Sequence, residues 1–510
     1  MNRIRTQIRT PTEDELDLVA YGLRNYRAQQ GNRGLTHMRD FETLRQRHQA
    51  YAMALAPRLI ERLDWPADRL ALHRAQRLRD LVREAIDRSP WHRQRLAGVD
   101  VTRLDDDSLR ELPPMTKSDL MDNFDRIVTD ERLLLGLVNA HLETVTTGGY
   151  LLDGYTAMTS GGSTGHRGVF VYDWDGWGTF WIGCFRQILR AKWSDPELSS
   201  RPLVSAWVTA AHFTHATAAL ARTFASPEFV NVRFPVTLPT EDIVAGLNET
   251  RPDYLVAYPS ALHVLSFEAR AGRLQIAPRQ VLSCAEPLLP EIREATEEAW
   301  GAPVGNIWAA SESGGIAVPC AHSRSHLNED LLIVEPVDEN GRSVAPGQRA
   351  AKVYVTNLFN RALPLIRYEI TDEVRILSEP CPCGSAHRCV ADIQGRLDDV
   401  FVYDGRRVHP HVFRSALGRH AGVVEYQVRQ TREGAEVAVR CGTPVDLGRL
   451  RDEIAQGLAG LGLLRPAVEL TAVERLERDA GPAKLRRFVP LAEPSPLRRG
   501  SGERVLAAAH

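Results

Sequence analysis

Two groups of residues in this 510-residue chain have types and spacing that could do chemistry. The run from Thr159 to Gly165, TSGGSTG, sets glycines among hydroxyls just ahead of the apolar segment GVFVY. Glycines let backbone N–H groups approach a polyphosphate closely and hydroxyls add donors, so the run suits a triphosphate. It is not a Walker loop, because Gly165, His166 and Arg167 stand where GKS or GKT would be needed. Alone it would serve equally as an ordinary turn. The second group is sulfur and imidazole: Cys320 and His326 in CAHSRSHLNED, with Cys381 and Cys383 in EPCPCG, form a four-ligand N/S set of the kind zinc favours. Four protein ligands leave no open position, so the site would be structural, pinning two loops with about 10 kcal/mol. His322, His387 and Cys389 are alternative ligands, and reduced thiols without a metal are the other reading.

Further pieces follow in order: SCAEPL at 283–288, NIWAASES at 306–313, LPLIRYEITD at 363–372, GRLDD at 395–399 and AKLRRF at 483–488. With the glycine run, this series closely resembles the adenylate-forming superfamily of acyl-CoA synthetases, and specifically the phenylacetate-CoA ligase family, over roughly residues 76 to 490. LVREAIDRSPWHRQRL and LPPMTKSDL are similar to that family's opening helices.

The resemblance implies roles. Ser160, Gly161, Gly162, Ser163, Thr164 and Gly165 would hold the β- and γ-phosphates, with Arg167 where many relatives carry Lys. Cys284, Ala285, Glu286 and Pro287 would form a backbone ledge beside adenine, Trp308 would stack on the base, and Ser311 would join the nucleotide contacts. Glu312 would hold Mg²⁺, a hard cation that wants oxygen ligands. Asp372 would accept the ribose hydroxyls, Arg396 would contact ribose or phosphate, and Asp398 would be the hinge about which a small C-terminal domain swings. Lys484 would bridge the carboxylate and α-phosphate as negative charge builds. Trp207, His212, Phe213 and His215, in WVTAAHFTH, fall where the family places residues facing the acid. Alanines at 309 and 483 replace the usual glycines.

Each role has a plainer counterpart: a core tryptophan, a surface acid, a structural ion pair, a solvated basic face. The expected activity is ATP-dependent formation of an acyl-AMP from a small carboxylic acid, aryl acids among the candidates, with transfer to coenzyme A. Delivery to a carrier-protein thiol or an amine is the alternative, since adenylation motifs describe only the shared step. A zinc-containing scaffold without catalysis is a third reading, resting on the departures at 167, 309 and 483. The resemblance also admits a homodimer.

These residues need elements to position them. Residues 1 to about 75 read as a helical extension with a capping box at Thr12 and Glu15, and Leu78, Leu81, Val82, Ala85 and Ile86 share a helix face that Ser89, Pro90 and Trp91 end. From about 150 to 395, β-rich runs (GVFVYDW, RPLVSAWV, DYLVAY, RQVLSC) alternate with helical stretches such as PEIREATEEAW, which predicts a large α/β domain of sheets with flanking helices. Residues 396–490 predict a small α+β domain: VEYQVRQ and AEVAVR around a turn at Arg432–Gly434, a helix near Leu447–Leu458 and a strand at Val468–Val473. Residues 491–510 read as a disordered tail.

With a formal charge of −2 there is no basic imbalance to suggest a nucleic-acid partner. No apolar run is long enough to cross a bilayer, the N-terminus does not read as a secretory signal, and seven cysteines do not suggest a disulfide framework, so a cytoplasmic enzyme is expected.

Overall fold

The structure is a computed structural model that describes residues 35–491, except 146–147, 153, 161–167, 211–212, 392, 394–399, 405, 409–410, 418–419, 421 and 479–484. Contacts group the chain into two compact units, residues 1–398 with 477–485 and residues 399–476 with 486–510. The capping box at Thr12 and the tail beyond 491 lie outside the described residues.

In the first unit, α1 (Leu35–Glu61) and α2 (Ala67–Arg88) come first. Helix α2 buries Leu70, Leu78, Leu81, Val82 and Ala85, the stripe that the 3.6-residue period requires. Ser89 ends it and also starts the next helix, Pro90–Arg95: its hydroxyl accepts the His92 N–H at 3.3 Å, and Pro90 sits at the first helical position, where no N–H is missed. In the short helix Lys117–Asp122, Thr116 and Asp119 form a reciprocal capping box.

Strands β1 (Thr156–Thr159) and β2 (Val169–Tyr172) pair antiparallel, and the glycine run joins them. Helix α3 (Trp174–Ser194) follows, buried along much of its length, and Asp173 caps it by accepting the Gly176 N–H at 2.7 Å. Strands β3 (Leu203–Thr209), β4 (Phe229–Pro235), β5 (Tyr254–Ala257), β6 (Gln280–Cys284) and β7 (Val304–Ala310) then alternate with α4 (Ala216–Thr223), α5 (Thr240–Thr250), α6 (Pro259–Arg270) and α7 (Pro290–Trp300). They form a parallel array in the order β4-β3-β5-β6-β7. Strands β8 (Gly314–Pro319), β9 (Ser325–Leu327) and β13 (Cys389–Val390) extend it antiparallel to eight strands. A second sheet, β10 (Leu332–Val337), β11 (Lys352–Asn357) and β12 (Tyr368–Ile370), is antiparallel. The near-continuous apolar strands suit a sheet covered on both faces, as the alternating pattern predicts.

Chain order matters for function. The connection from β3 runs outward to β4 and then returns to β5 on the other side of β3. Open α/β sheets bind ligands at such a reversal, outside the carboxyl ends of the strands.

In the second unit, β14 (Phe401–Tyr403) and β15 (Arg406–Val408) form a hairpin. Strands β16 (Val423–Gln430), β17 (Gly434–Cys441), β18 (Ala467–Ala472) and β19 (Phe488–Val489) make a sheet ordered β18-β17-β16-β19. Helix α8 (Leu447–Gly460) buries Leu450, Ile454 and Leu458 in a separate core with Phe401, Phe413, Val428, Val437 and Val439. Among the described residues, no helix is long and apolar enough to cross a membrane.

Candidate active site

A cavity of about 440 Å³ opens in the first unit at the carboxyl ends of the parallel strands. Trp207 of β3, Val256 of β5, Cys284 of β6 and Ile307 and Ala309 of β7 line it, so the topology predicts its place. Of the residues expected at the site, Ser160, Ala285, Ser311, Glu312 and Asp372 all line this one cavity, although they come from four separate motifs.

The ledge at 284–287 is a tight turn. Ala285 has φ +67°, and the Glu286 N–H donates to the Cys284 carbonyl at 2.9 Å, an i to i+2 bond around a left-handed residue. Such γ-turns are rare and strained, and strain of this kind is kept where surrounding structure over-determines it, commonly at ligand sites. Glu286 is part of that support. Its Oε2 accepts the Ser260 N–H at the start of α6 (3.0 Å) and its Oε1 accepts the Leu485 N–H (2.9 Å).

The turn carrying Ser311 and Glu312 is held through its backbone. Tyr172 donates its hydroxyl to the Ser311 carbonyl at 2.7 Å, and Asn357 Nδ2 donates to the Glu312 carbonyl at 3.2 Å. Burial drives the Tyr172 and Tyr368 hydroxyls well above the ordinary phenol range, and the charge of Glu312 adds to both. The Glu312 carboxylate therefore lies among neutral hydroxyls.

Trp308 makes a polar contact that its motif does not announce. It is buried in the core, is not among the cavity-lining residues, and donates its indole N–H to Asp372 Oδ2 at 2.8 Å. This bond ties the edge of the indole to the Asp372 carboxylate. Glu286 and Pro287 likewise lie outside the lining, so of the ledge it is Cys284 and Ala285 that reach the cavity.

Away from these polar groups the wall is apolar, with Phe180, Cys184 and Phe185 of α3, Trp207, Leu220 of α4 and Val256. His215 is in the lining, as expected of that stretch. Phe213 instead lies under the Arg233 guanidinium, 4.5 Å from its ring centre. Sequence reasoning missed Tyr172, Asn357, Phe180 and Cys184, which sit inside apolar or loop segments without any motif. Thr116, Lys117 and Ser118 also line the cavity; their signal was present in LPPMTKSDL but was read only as a helix start.

The ligand atoms of Cys320, His326, Cys381 and Cys383 lie within 4.8 Å of one another. Cys320 Sγ is 3.8 Å from Cys381 Sγ, and Cys383 Sγ is 3.3 Å from His326 Nε2. His326 Nδ1–H donates to the His387 carbonyl at 2.8 Å, the outer contact that fixes the tautomer of a metal-binding histidine and turns Nε2 towards the sulfurs. Burial would push the Cys320 thiol up, but hydrogen bonds with His326 and the His322 N–H hold it down at about 6. The donor set fits a tetrahedral zinc ion. Cys389 Sγ lies 3.6 Å from the His326 ring. His387 does not compete, because its Nε2–H donates to the Arg62 carbonyl (3.1 Å) and its Nδ1 accepts the Glu329 N–H (3.2 Å).

Beside this cluster, Arg186 of α3 makes a fully buried bidentate pair with Asp330 (2.7 and 2.9 Å) and donates to Asn328 at 2.6 Å. Burial alone would raise the Asp330 carboxyl; the Arg186 charge holds it below its ordinary value. Gly161, Gly162, Ser163, Thr164, Gly165, Arg167, His212, Arg396, Asp398 and Lys484 lie outside the described residues.

The mixed sheet with a cavity at its switch point is the fold of adenylate-forming CoA ligases. Crystal structures of 2-hydroxyisobutyryl-CoA ligase superpose at 20% identity over 85% of this chain, with a TM-score of 0.64 to its postadenylation state with R3-HIB-AMP (91% of that chain) and 0.51 to an open conformation with 2-HIB-AMP and CoA (93%). By sequence, the chain is a homologue of proteins named phenylacetate-coenzyme A ligase. It is 29% identical to that of Thermus thermophilus over 245 residues (45% of this chain, 55% of the relative) and 26% identical to that of Pseudomonas putida over 373 residues (67% and 74%). It is 25% identical to that of Escherichia coli over 387 residues (72% and 80%). The chain thus spans about half the length of the Thermus relative. No family model matches the chain.

Proposed function

We propose that the chain is an ATP-dependent, AMP-forming ligase that activates a small carboxylic acid and passes the acyl group to coenzyme A. The observation that carries this reading is the convergence of Ser160, Ala285, Glu312 and Asp372 on one apolar-walled cavity at the sheet's switch point. A carboxylate oxygen attacks the α-phosphorus of ATP and pyrophosphate leaves. The sulfur of coenzyme A then attacks the acyl carbon and AMP leaves. The names of the sequence relatives, and the acyl-AMP and CoA bound by the structural neighbours, support both halves.

In this reading Ser160 opens the phosphate loop that Gly161 to Gly165 and Arg167 complete. Ala285 borders the base, Asp372, oriented by Trp308, takes the ribose hydroxyls, and Arg396 assists. Glu312 holds Mg²⁺, which offsets charge on the phosphates when bound. Lys484 meets the charge that grows between carboxylate and α-phosphate. Asp398 is the hinge about which the second unit turns between half-reactions. Cys320, His326, Cys381 and Cys383 hold a structural zinc ion.

Acid-dependent exchange of labelled pyrophosphate into ATP tests the reading. Exchange is expected with at least one member of a panel of aryl and aliphatic acids; none with any would overturn it. Product analysis with coenzyme A, a carrier protein or free amines then identifies the acceptor.

A further inference from the structure

We propose that α1 is a specificity element, a brace that fixes the width of the acyl end of the cavity from behind. The proposal rests on the ligase reading above. Two helices build much of the apolar wall: α3 contributes Phe180, Cys184 and Phe185, and α4 contributes Ala216, Thr217 and Leu220. Helix α1 is bound to both of them.

Its contact with α3 is close and runs along the helix. A Cβ on Gly178 would stand 3.3 Å from the Cβ of Ala52, so the two backbones meet through their smallest side chains. At 3.6 residues per turn, Phe180 and Cys184 project roughly 160° and 120° away from Gly178, so these two wall residues leave α3 on the side away from Ala52, while Phe185, seven residues on, lies within about 20° of the Gly178 face itself. His48, buried in α1, donates Nε2–H to the Trp174 carbonyl at the first turn of α3 (2.8 Å) and stacks on the Trp174 ring at 4.9 Å. Tyr51 donates to Asp175 at 2.9 Å. At the other end, Arg186 Nη1 donates to the Leu59 carbonyl at 3.0 Å.

The hold on α4 is through two side chains, Glu42, which accepts from Arg222 of α4 at 3.2 Å, and Arg45. Arg45 donates to the carbonyls of Thr223 (3.1 Å) and Ala225 (2.6 Å) at the C-terminal end of α4, where the helix dipole favours a cation. Close-packed interiors transmit displacement rather than absorb it. Enlarging the contact between α1 and α3 therefore drives the wall into the cavity, where a large acyl group meets it and a small one does not.

The test compares phenylacetate with acetate in acid-dependent pyrophosphate exchange, using Gly178→Ala and Ala52→Leu, with thermal unfolding to confirm that each variant folds. The expected result is a fall of about tenfold in the phenylacetate-to-acetate ratio of kcat/KM, carried in the KM for the acid. The KM for ATP should stay within about twofold. Gly178→Ala adds one methyl and is read alone if Ala52→Leu does not fold. Equal losses with both acids, or an unaltered ratio, overturn the brace. Wild-type exchange with neither these nor any other acid overturns the ligase reading instead.

Discussion

Glu286 moors Leu485. One carboxylate oxygen accepts the Leu485 N–H at 2.9 Å, while the other accepts the N–H of Ser260, whose hydroxyl in turn takes a hydrogen bond from Arg478 at 3.2 Å. Arg478 and Leu485 are thereby fastened to the first turn of α6, beside the strained turn at Ala285. Leu485 follows Lys484 directly, so the mooring bears on the proposed adenylation lysine.

Glu286→Ala removes both acceptors. Hydrogen bonds to a charged group are worth about 1.5–3 kcal/mol each, so losing the mooring alone should slow acyl-AMP formation by roughly 10–100-fold. Thioester formation from supplied acyl-AMP should be much less affected. Single-turnover assays of the two half-reactions check this, and equal losses in both would contradict it.

Trp308→Phe keeps an aromatic ring in the core but removes the indole N–H that holds Asp372. An orienting role predicts a rise in the KM for ATP of roughly five- to tenfold, with the KM for the acid little changed, since one hydrogen bond to a carboxylate is lost. Were the ring instead a stacking platform, Phe would serve almost as well, and the KM for ATP would stay put.

The Cys and His cluster should copurify with about one zinc ion per chain, measured by elemental analysis. Cys320→Ser and Cys381→Ser should each abolish it and lower the melting temperature, because the ligand atoms tie β9 to the loop ahead of β13. A chelator should leave these variants unmoved while destabilising the wild type. Metal-free wild-type protein with an unaltered melting temperature would reject the site.

His48 gives a pH dependence with a definite sign. Burial depresses its pKa from 6.5 to about 4, so between these values the unfolded chain binds the extra proton and the folded chain does not. Its contribution is fully present above pH 6.5 and is lost as pH falls through 4, by about 3 kcal/mol at most. His48→Gln can donate and accept hydrogen bonds without titrating, so its denaturant-measured stability should fall less steeply over that interval than the wild type's.

The sequence made some parts legible because local periodicity decides them. The strands in RPLVSAWV, DYLVAY and RQVLSC and the helix PEIREATEEAW need only runs of apolar residues and caps, and all stand where the pattern puts them. The grouping of Cys320, His326, Cys381 and Cys383 was legible because few residue types offer sulfur or imidazole ligands. Trp308 was read from motif position, which carries no information about which way the ring turns; that is fixed by Asp372, 64 residues later. The interior partners Tyr172, Asn357 and Arg186 were invisible for the same reason. Their contacts span 139, 45 and 144 residues, and nothing in a one-dimensional pattern marks them.

The bonds at the far end of α1 bear on how the protein could be shortened. Removing everything before Pro66 would strip Arg186 of its bond to Leu59, Ser385 of its bond to Leu63 and His387 of its bond to Arg62. Three donors on the thiol-bearing loop and the central helix would then turn from protein carbonyls to solvent, with Arg186 still paired to Asp330. A variant that begins at Pro66 would be better served by side chains at 186, 385 and 387 that do not need those three carbonyls.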